Sequence, residues 1–299
     1  MNKSLAYPLH AGMDVPAKGR PMAERSAALS AVPSTLRIPL AARALGDALF
    51  PRVAVGDADA AAVLRAIGDD GTQWLGDRHS VYAVMARTLR FRELAVDFLD
   101  AHPAGQVVNL GCGLSNYFQW LDNGRSRMTD ADLPEVLAIR RELLPARGKR
   151  HVVRELDLTA PDWWDALELP ASRQADPIFL FCEGVLMYLK PEVVDAILKT
   201  FGERAPAGSV FAFDAMCWLA IGRAKQNPSV KQTAAEFRWG PRRVNELAQP
   251  HPRLRLQATY NVMEGYGFPY SFVGPMFRAV SGVPVYAVYA LGATERSAL

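Results

Sequence analysis

Between residues 106 and 214, short apolar runs alternate with longer stretches of helical period. The runs fall at about 106–110, 126–131, 151–155, 178–182 and 209–214. The most apolar of them, PIFLFC at 177–182, has no alternating polar positions, as expected of a strand covered on both faces. Pro134 and Pro191 open two of the intervening stretches, where a missing N–H costs a helix nothing. This alternation predicts a parallel sheet with right-handed crossovers and a ligand crevice at the carboxyl ends of the strands. Two further apolar segments, 254–262 and 285–291, read as strands with no legible helix between them. Upstream, residues 35–98 are helical in period, with Pro39, Pro51 and Gly71 as punctuation. Residues 1–34 show no clear period, and no chemistry is placed there. Repeats and low-complexity tracts are absent from the sequence.

The first run, VVNL at 107–110, ends on Gly111-Cys112-Gly113. Glycines in such a turn allow positive φ and remove the Cβ atoms that would hold a ligand away from the backbone. The segment that follows can aim helix N–H groups at polar atoms. Twenty-one residues after Gly111 stands Asp132, at the end of the second predicted strand. An acid at that separation accepts from ribose hydroxyls in doubly wound folds. A short polar residue before a proline-initiated helix is also what an N-cap requires, and Asp130 competes for the ribose role from the same strand face. Dinucleotide fingerprints want a third glycine where this chain has Asn116, which disfavours nicotinamide and flavin cofactors. No Lys-Ser/Thr pair follows the glycines, so a phosphate-binding loop is excluded. An adenosine without phosphates is the simplest remaining ligand.

Seven linked segments extend this reading: LRIPLAARA at 36–44, ART at 86–88, NLGCGL at 109–114, DADLPEV at 130–136, ELDL at 155–158, EGVLMYL at 183–189 and FRWG at 237–240. In this order they resemble the leucine carboxyl methyltransferase and polyketide O-methyltransferase family of class I S-adenosylmethionine-dependent enzymes. The chain departs from the family after the glycine turn, carrying Ser115-Asn116-Tyr117 where Asp-Thr-Arg is usual. The resemblance implies an α/β, Rossmann-like doubly wound fold: a mainly parallel seven-stranded sheet with an antiparallel last strand and a helical N-terminal and insert cap. One methyltransferase domain is expected over 1–299, comprising an N-terminal extension at 1–34, a helical cap at 35–100 and a core at 101–299 with a cap insertion at 217–252.

S-adenosyl-L-methionine is the implied cofactor. Gly111 and Gly113 would admit its backbone approach, and Asp132 would hold the ribose. By the same resemblance Asp157 and the backbone of Leu158 would receive adenine, the carboxylate accepting from the exocyclic amine. Arg87 would grip the methionine carboxylate, which a planar guanidinium does better than lysine. Glu183 ends a buried strand, where a carboxylate needs a cation or donors, and the methionine ammonium is one. Tyr188, Trp239 and Tyr266 are candidates for the acceptor side.

Composition narrows the partners. At 299 residues and 50% hydrophobic content the chain can bury a full core. A net charge of +3, with basic pairs such as Arg140-Arg141 and Arg242-Arg243 read as solvated faces, does not suggest nucleic acid. Three cysteines make no disulfide framework, and the five histidines show no metal-ligand spacing. No run is long enough to span a membrane and no signal-peptide core is seen, so a cytoplasmic protein with a small-molecule acceptor is expected.

The aromatic and basic span 217–274, with Arg223, Lys225 and Lys231, suits a planar or carboxylated acceptor. A carboxylate acceptor needs no base at neutral pH; a hydroxyl needs one, such as His251 or Glu264. With no base placed by the sequence, a carboxyl acceptor is favoured over a hydroxyl. Alternatives from other classes are methylation of a protein C-terminus, a nicotinamide oxidoreductase and a non-catalytic adenosine-binding regulator.

Overall fold

Seven strands form one sheet in the computed structural model, which describes residues 34–223 and 236–295. Most of the expected N-terminal extension, and residues 224–235 of the cap insertion with Lys225 and Lys231, lie outside the described residues. The strands are β1 (Gln106–Leu110), β2 (Arg127–Asp132), β3 (His151–Glu155), β4 (Ile178–Cys182), β5 (Val210–Met216), β6 (Leu254–Asn261) and β7 (Tyr286–Ala293). Their order is β3-β2-β1-β4-β5-β7-β6. Pairings among β1 to β5 are parallel, whereas β7 runs antiparallel to both β5 and β6. The order therefore reverses between β1 and β4, which opens a crevice beyond their carboxyl ends.

Period-two alternation along β4 explains why its whole length is apolar. Phe179 and Phe181 enter one half of the core, against Phe91 and Phe98. Ile178, Leu180 and Cys182 enter the other, against Val194, Ile197, Leu198 and Phe201. The first set of partners comes from α3 (Arg78–Ala101), the second from α7 (Pro191–Arg204). The remaining helices are α1 (Ser34–Leu49), α2 (Ala58–Ala66), α4 (Phe118–Leu121), α5 (Pro134–Leu143), α6 (Trp163–Ala166) and α8 (Tyr270–Ser281). Asp57 and Asp77 cap α2 and α3 by accepting from the N–H groups of Ala60 and Ser80. Leu40 and Ala41 of α1 and Val63 and Leu64 of α2 pack with Leu114, which seats these helices beside the glycine turn.

Three sequence expectations change. Pro39 does not punctuate: α1 runs through it, its buried face packing Leu40 and Ala41 against α2. Second, α8 occupies the interval in which no helix was legible. It buries none of its residues, and Phe272, Val273, Met276 and Val280 are exposed, so its apolar stripe faces solvent, and Gly274 and Pro275 break the middle of its sequence pattern. Third, Arg140 is not solvated. It is wholly buried beneath the glycine turn, where it donates to the carbonyls of Gly113 (3.0 Å) and Ser115 (2.6 Å) and pairs with the buried Asp130. Asp130 also bonds His151 Nε2 at 2.7 Å and accepts from Asn109 at 3.1 Å. Burial alone would raise Asp130, but the Arg140 charge and the His151 and Asn109 bonds hold its carboxyl below the usual range.

Candidate functional site

A cavity of about 890 Å³ lies at the reversal of strand order. Arg87, Gly111, Gly113, Asp132, Asp157, Leu158, Glu183 and Tyr188 all line it. Trp239 and Tyr266 do not. Trp239 is buried in the core with its ring 6.1 Å from Phe213, and Tyr266 packs among Phe50, His79, Tyr82 and Tyr270.

At the β1 end the chain turns on Gly111, with φ 71°. A Cβ at that position would stand 2.5 Å from Val185 Cγ2, so the turn and the loop after β4 approach as only glycine permits. Asp132 fastens the turn: Oδ2 accepts from Gly113 N–H at 2.7 Å and Oδ1 from Leu133 N–H at 2.8 Å. Its side chain does not cap α5, whose N-cap is Leu133. A carboxylate offers about four acceptor positions, so two remain for hydroxyls in the cavity. Burial pushes the Asp132 carboxyl above its ordinary value. Asp130, the alternative ribose partner, is turned into the Arg140 network and does not reach the cavity. Asp157 accepts from the backbone and hydroxyl of Thr159, forming a local turn ahead of the apolar wall made by Leu133, Leu156, Leu158 and Val185.

The opposite end centres on Arg87. Its Nε donates to Glu183 Oε1 at 2.9 Å, and its Nη1 to the Tyr286 hydroxyl at 2.8 Å and Asp214 Oδ2 at 3.2 Å. Nη2 lies over Gly184, where a Cβ would come within 3.0 Å of it. That edge of the guanidinium can serve a carboxylate in the cavity. Glu183 also accepts from the Thr88 hydroxyl at 2.8 Å and, through Oε2, from the Tyr117 hydroxyl at 2.7 Å. Burial opposes its charge, yet Arg87 and Arg43 together with these donors hold its carboxyl below the usual range. Burial wins at Asp214, which is raised even though it accepts from Gly184 N–H and Tyr286.

The sequence reading missed Arg43, Tyr117, Asp214 and Tyr286. Arg43 lines the cavity and is fixed by Asp57 (2.9 Å) and the Leu114 carbonyl (2.9 Å). It belonged to the LRIPLAARA segment, which was its signal. Tyr117, in the segment where the chain departs from the family pattern, is buried behind the cavity and satisfies Glu183 with a neutral donor. Among the charged residues lining the cavity, Asp77, Asp132, Asp157, Glu183 and Glu236 are acidic and Arg43, Arg87 and Arg238 basic. The excess is negative in a chain whose net charge is +3.

Beyond Arg87 the walls become flat and apolar. Tyr188 stacks on Phe237 with ring centroids 5.5 Å apart, and Met187, Met216, Met263 and Tyr270 complete the surface. The two bases considered from sequence are elsewhere. His251 packs on Gly202 of α7, and Glu264 pairs with Arg278. His251→Ala is therefore expected to retain the activity of the folded enzyme, measured as turnover per active site; a loss of about 100-fold would place a base there after all. Among the described residues no group of His, Cys, Asp and Glu is arranged to hold a metal, and no helix is long and apolar enough to cross a membrane.

Known proteins resemble the chain in both sequence and fold. The leucine carboxyl methyltransferase family matches residues 18–202. The tetracenomycin polyketide synthesis O-methyltransferase TcmP of Streptomyces glaucescens is 31% identical over 237 residues, covering 79% of this chain and 85% of that one. A Mycobacterium marinum protein assigned as an S-adenosyl-L-methionine-dependent methyltransferase is 30% identical over 206 residues, 66% of this chain and 61% of its own length. A solved structure from Thermobifida fusca, assigned as a methyltransferase, superimposes with a TM-score of 0.50 at 17% identity, covering 75% of this chain and 89% of that one. This last likeness concerns the fold alone.

Proposed function

The chain belongs to the leucine carboxyl methyltransferase family and is an S-adenosylmethionine-dependent methyltransferase, and from that premise we propose that it methylates an oxygen of a planar, small natural-product-like molecule. The observation that carries the proposal is the continuity of one cavity across two chemistries. Its glycine and carboxylate end fits the donor; its Tyr188-Phe237 end fits a flat acceptor. TcmP, whose name places it in polyketide synthesis, supports the same reading.

S-adenosylmethionine supplies a methyl group on a sulfonium that leaves as a neutral thioether. The residues of this chain bind and align. Gly111 admits the donor to the backbone, Asp132 accepts from the ribose, and Asp157 with the Leu158 N–H receives adenine. Arg87 Nη2 meets the carboxylate and Glu183 the ammonium, while Tyr188 and Phe237 hold the acceptor ring and exclude water. Because the sulfonium is already activated, orientation in a dry cavity supplies most of what the protein must contribute.

Calorimetry with S-adenosylmethionine, followed by labelled-methyl transfer to aromatic phenols and carboxylic acids, tests the assignment. A methylated protein C-terminus as the sole product would reject a small-molecule acceptor. In the same titration Asp132→Ala should weaken donor binding by about 1–3 kcal/mol, through loss of charge-assisted ribose bonds. Because Asp132 also fastens Gly113, the variant should lose some thermal stability too. Unchanged affinity would remove Asp132 from the ribose role.

A further inference from the structure

We propose that His79 is the general base for a phenolic acceptor, with Asp77 placed to stabilise the imidazolium that proton removal creates. The proposal rests on the methyltransferase reading above and names the acceptor group that the reading leaves open.

Four histidines fall among the described residues. His102 follows the far end of α3, His151 is buried against Asp130, and His251 packs on Gly202. His79 alone of these lines the cavity. Its ring is half exposed and rests 4.8 Å from Tyr266 and 5.5 Å from Tyr270, a fixed aromatic setting for a base that still meets solvent. Asp77 Oδ1 lies 3.8 Å from His79 Nδ1, and the Asp77 carboxylate is itself held by the Ser80 N–H and hydroxyl. Arg78, the neighbouring cation, is directed over the Phe50 ring. Tyr266 and Tyr270 are the titratable groups facing the imidazole from other elements, and Glu236 and Arg238 complete the charged rim of the cavity.

Helix α3 also sets the distance. His79, Ala83 and Arg87 recur every four residues along one stripe, and all three line the cavity. Arg87 and His79 thus stand two turns apart on one side of the helix, about 12 Å along its axis, and open into the same cavity. In the reaction the phenolic proton passes to the imidazole, the oxygen lone pair forms the O–CH₃ bond, and the S–CH₃ bonding pair returns to sulfur. The products are an aryl methyl ether, S-adenosylhomocysteine and a proton released from His79 to water.

A carboxylate acceptor is ionised without help and would leave His79 without a task. That contrast supplies the test. The probes are 1,2-dihydroxyanthraquinone and anthraquinone-2-carboxylate, offered to wild type, His79→Gln and Asp77→Asn. Wild type should methylate the hydroxyl probe, with a rate that climbs with pH and then levels. His79→Gln should lower kcat on that probe by about 100-fold or more and lose the limb, with the affinity for S-adenosylmethionine unchanged by calorimetry. Independently of turnover, the visible spectrum of the dye bound beside S-adenosylhomocysteine should show its phenolate at lower pH in wild type than in His79→Gln. Equal rates in wild type and His79→Gln, transfer to the carboxylate alone, or transfer to neither probe overturns the proposal. No binding of S-adenosylmethionine by wild type overturns the donor-site assignment, and this proposal with it.

Discussion

Replacing Arg140 with Leu should cost about 3–5 kcal/mol of folding stability, the largest loss expected from any single change near the site. The guanidinium is completely buried and forms an ion pair with the equally buried Asp130. Without it, a carboxylate with no exposed surface keeps only His151 and Asn109, and the carbonyls of Gly113 and Ser115 lose their buried donor. An unpaired charge in such a place costs several times what the intact pair contributes. The double variant Asp130→Asn with Arg140→Leu should therefore be more stable than Arg140→Leu alone. Urea unfolding checks both. A loss below about 1 kcal/mol, or a double variant no better than the single one, would mean that water reaches the network.

Gly111→Val should abolish detectable binding of S-adenosylmethionine, a loss of at least about 100-fold. Two effects add. A β-branched residue at φ 71° is strained by about 1–3 kcal/mol, and its Cβ would begin 2.5 Å from Val185 Cγ2. Relief requires the β1 turn and the β4 loop to part, and those are the two walls that meet at the strand reversal. The variant should melt at a lower temperature than wild type yet remain folded, since the rest of the sheet is untouched. Calorimetry on the folded variant decides: wild-type affinity would show that the turn's close approach has no bearing on the donor.

Much of the architecture was legible because buried parallel strands advertise themselves. Strands β1, β3 and β4 lie where their apolar runs predicted, and β2 and β5 are displaced by one or two residues. Helix α8 was illegible for a different reason: Gly274 and Pro275, helix breakers in sequence, sit in its middle and mask its period. Residues that line the cavity were legible when a motif fixed them, as with Gly111, Asp132 and Glu183. Arg140 was misread because a cation in the last turn of a helix complements the helix dipole and normally stays in water. Its signal was the second acid, Asp130, on a strand end that needed only one. Asp214 and Tyr286 were invisible because their meeting with Arg87 depends on the antiparallel return of β7 beside β5, a contact separated by 199 residues. His79 carried no motif at all. Only the four-residue stripe it shares with Ala83 and Arg87 marked it.

The negative excess among the residues lining the cavity has a consequence for the turnover cycle. The methyl donor enters as a net monocation and, once its methyl is gone, remains as a species of zero net charge. A chamber in which carboxylates outnumber guanidinium groups attracts the first more than the second. With the donor placed as proposed, bond making at the acceptor removes one positive charge from that chamber and weakens its electrostatic hold on the spent molecule.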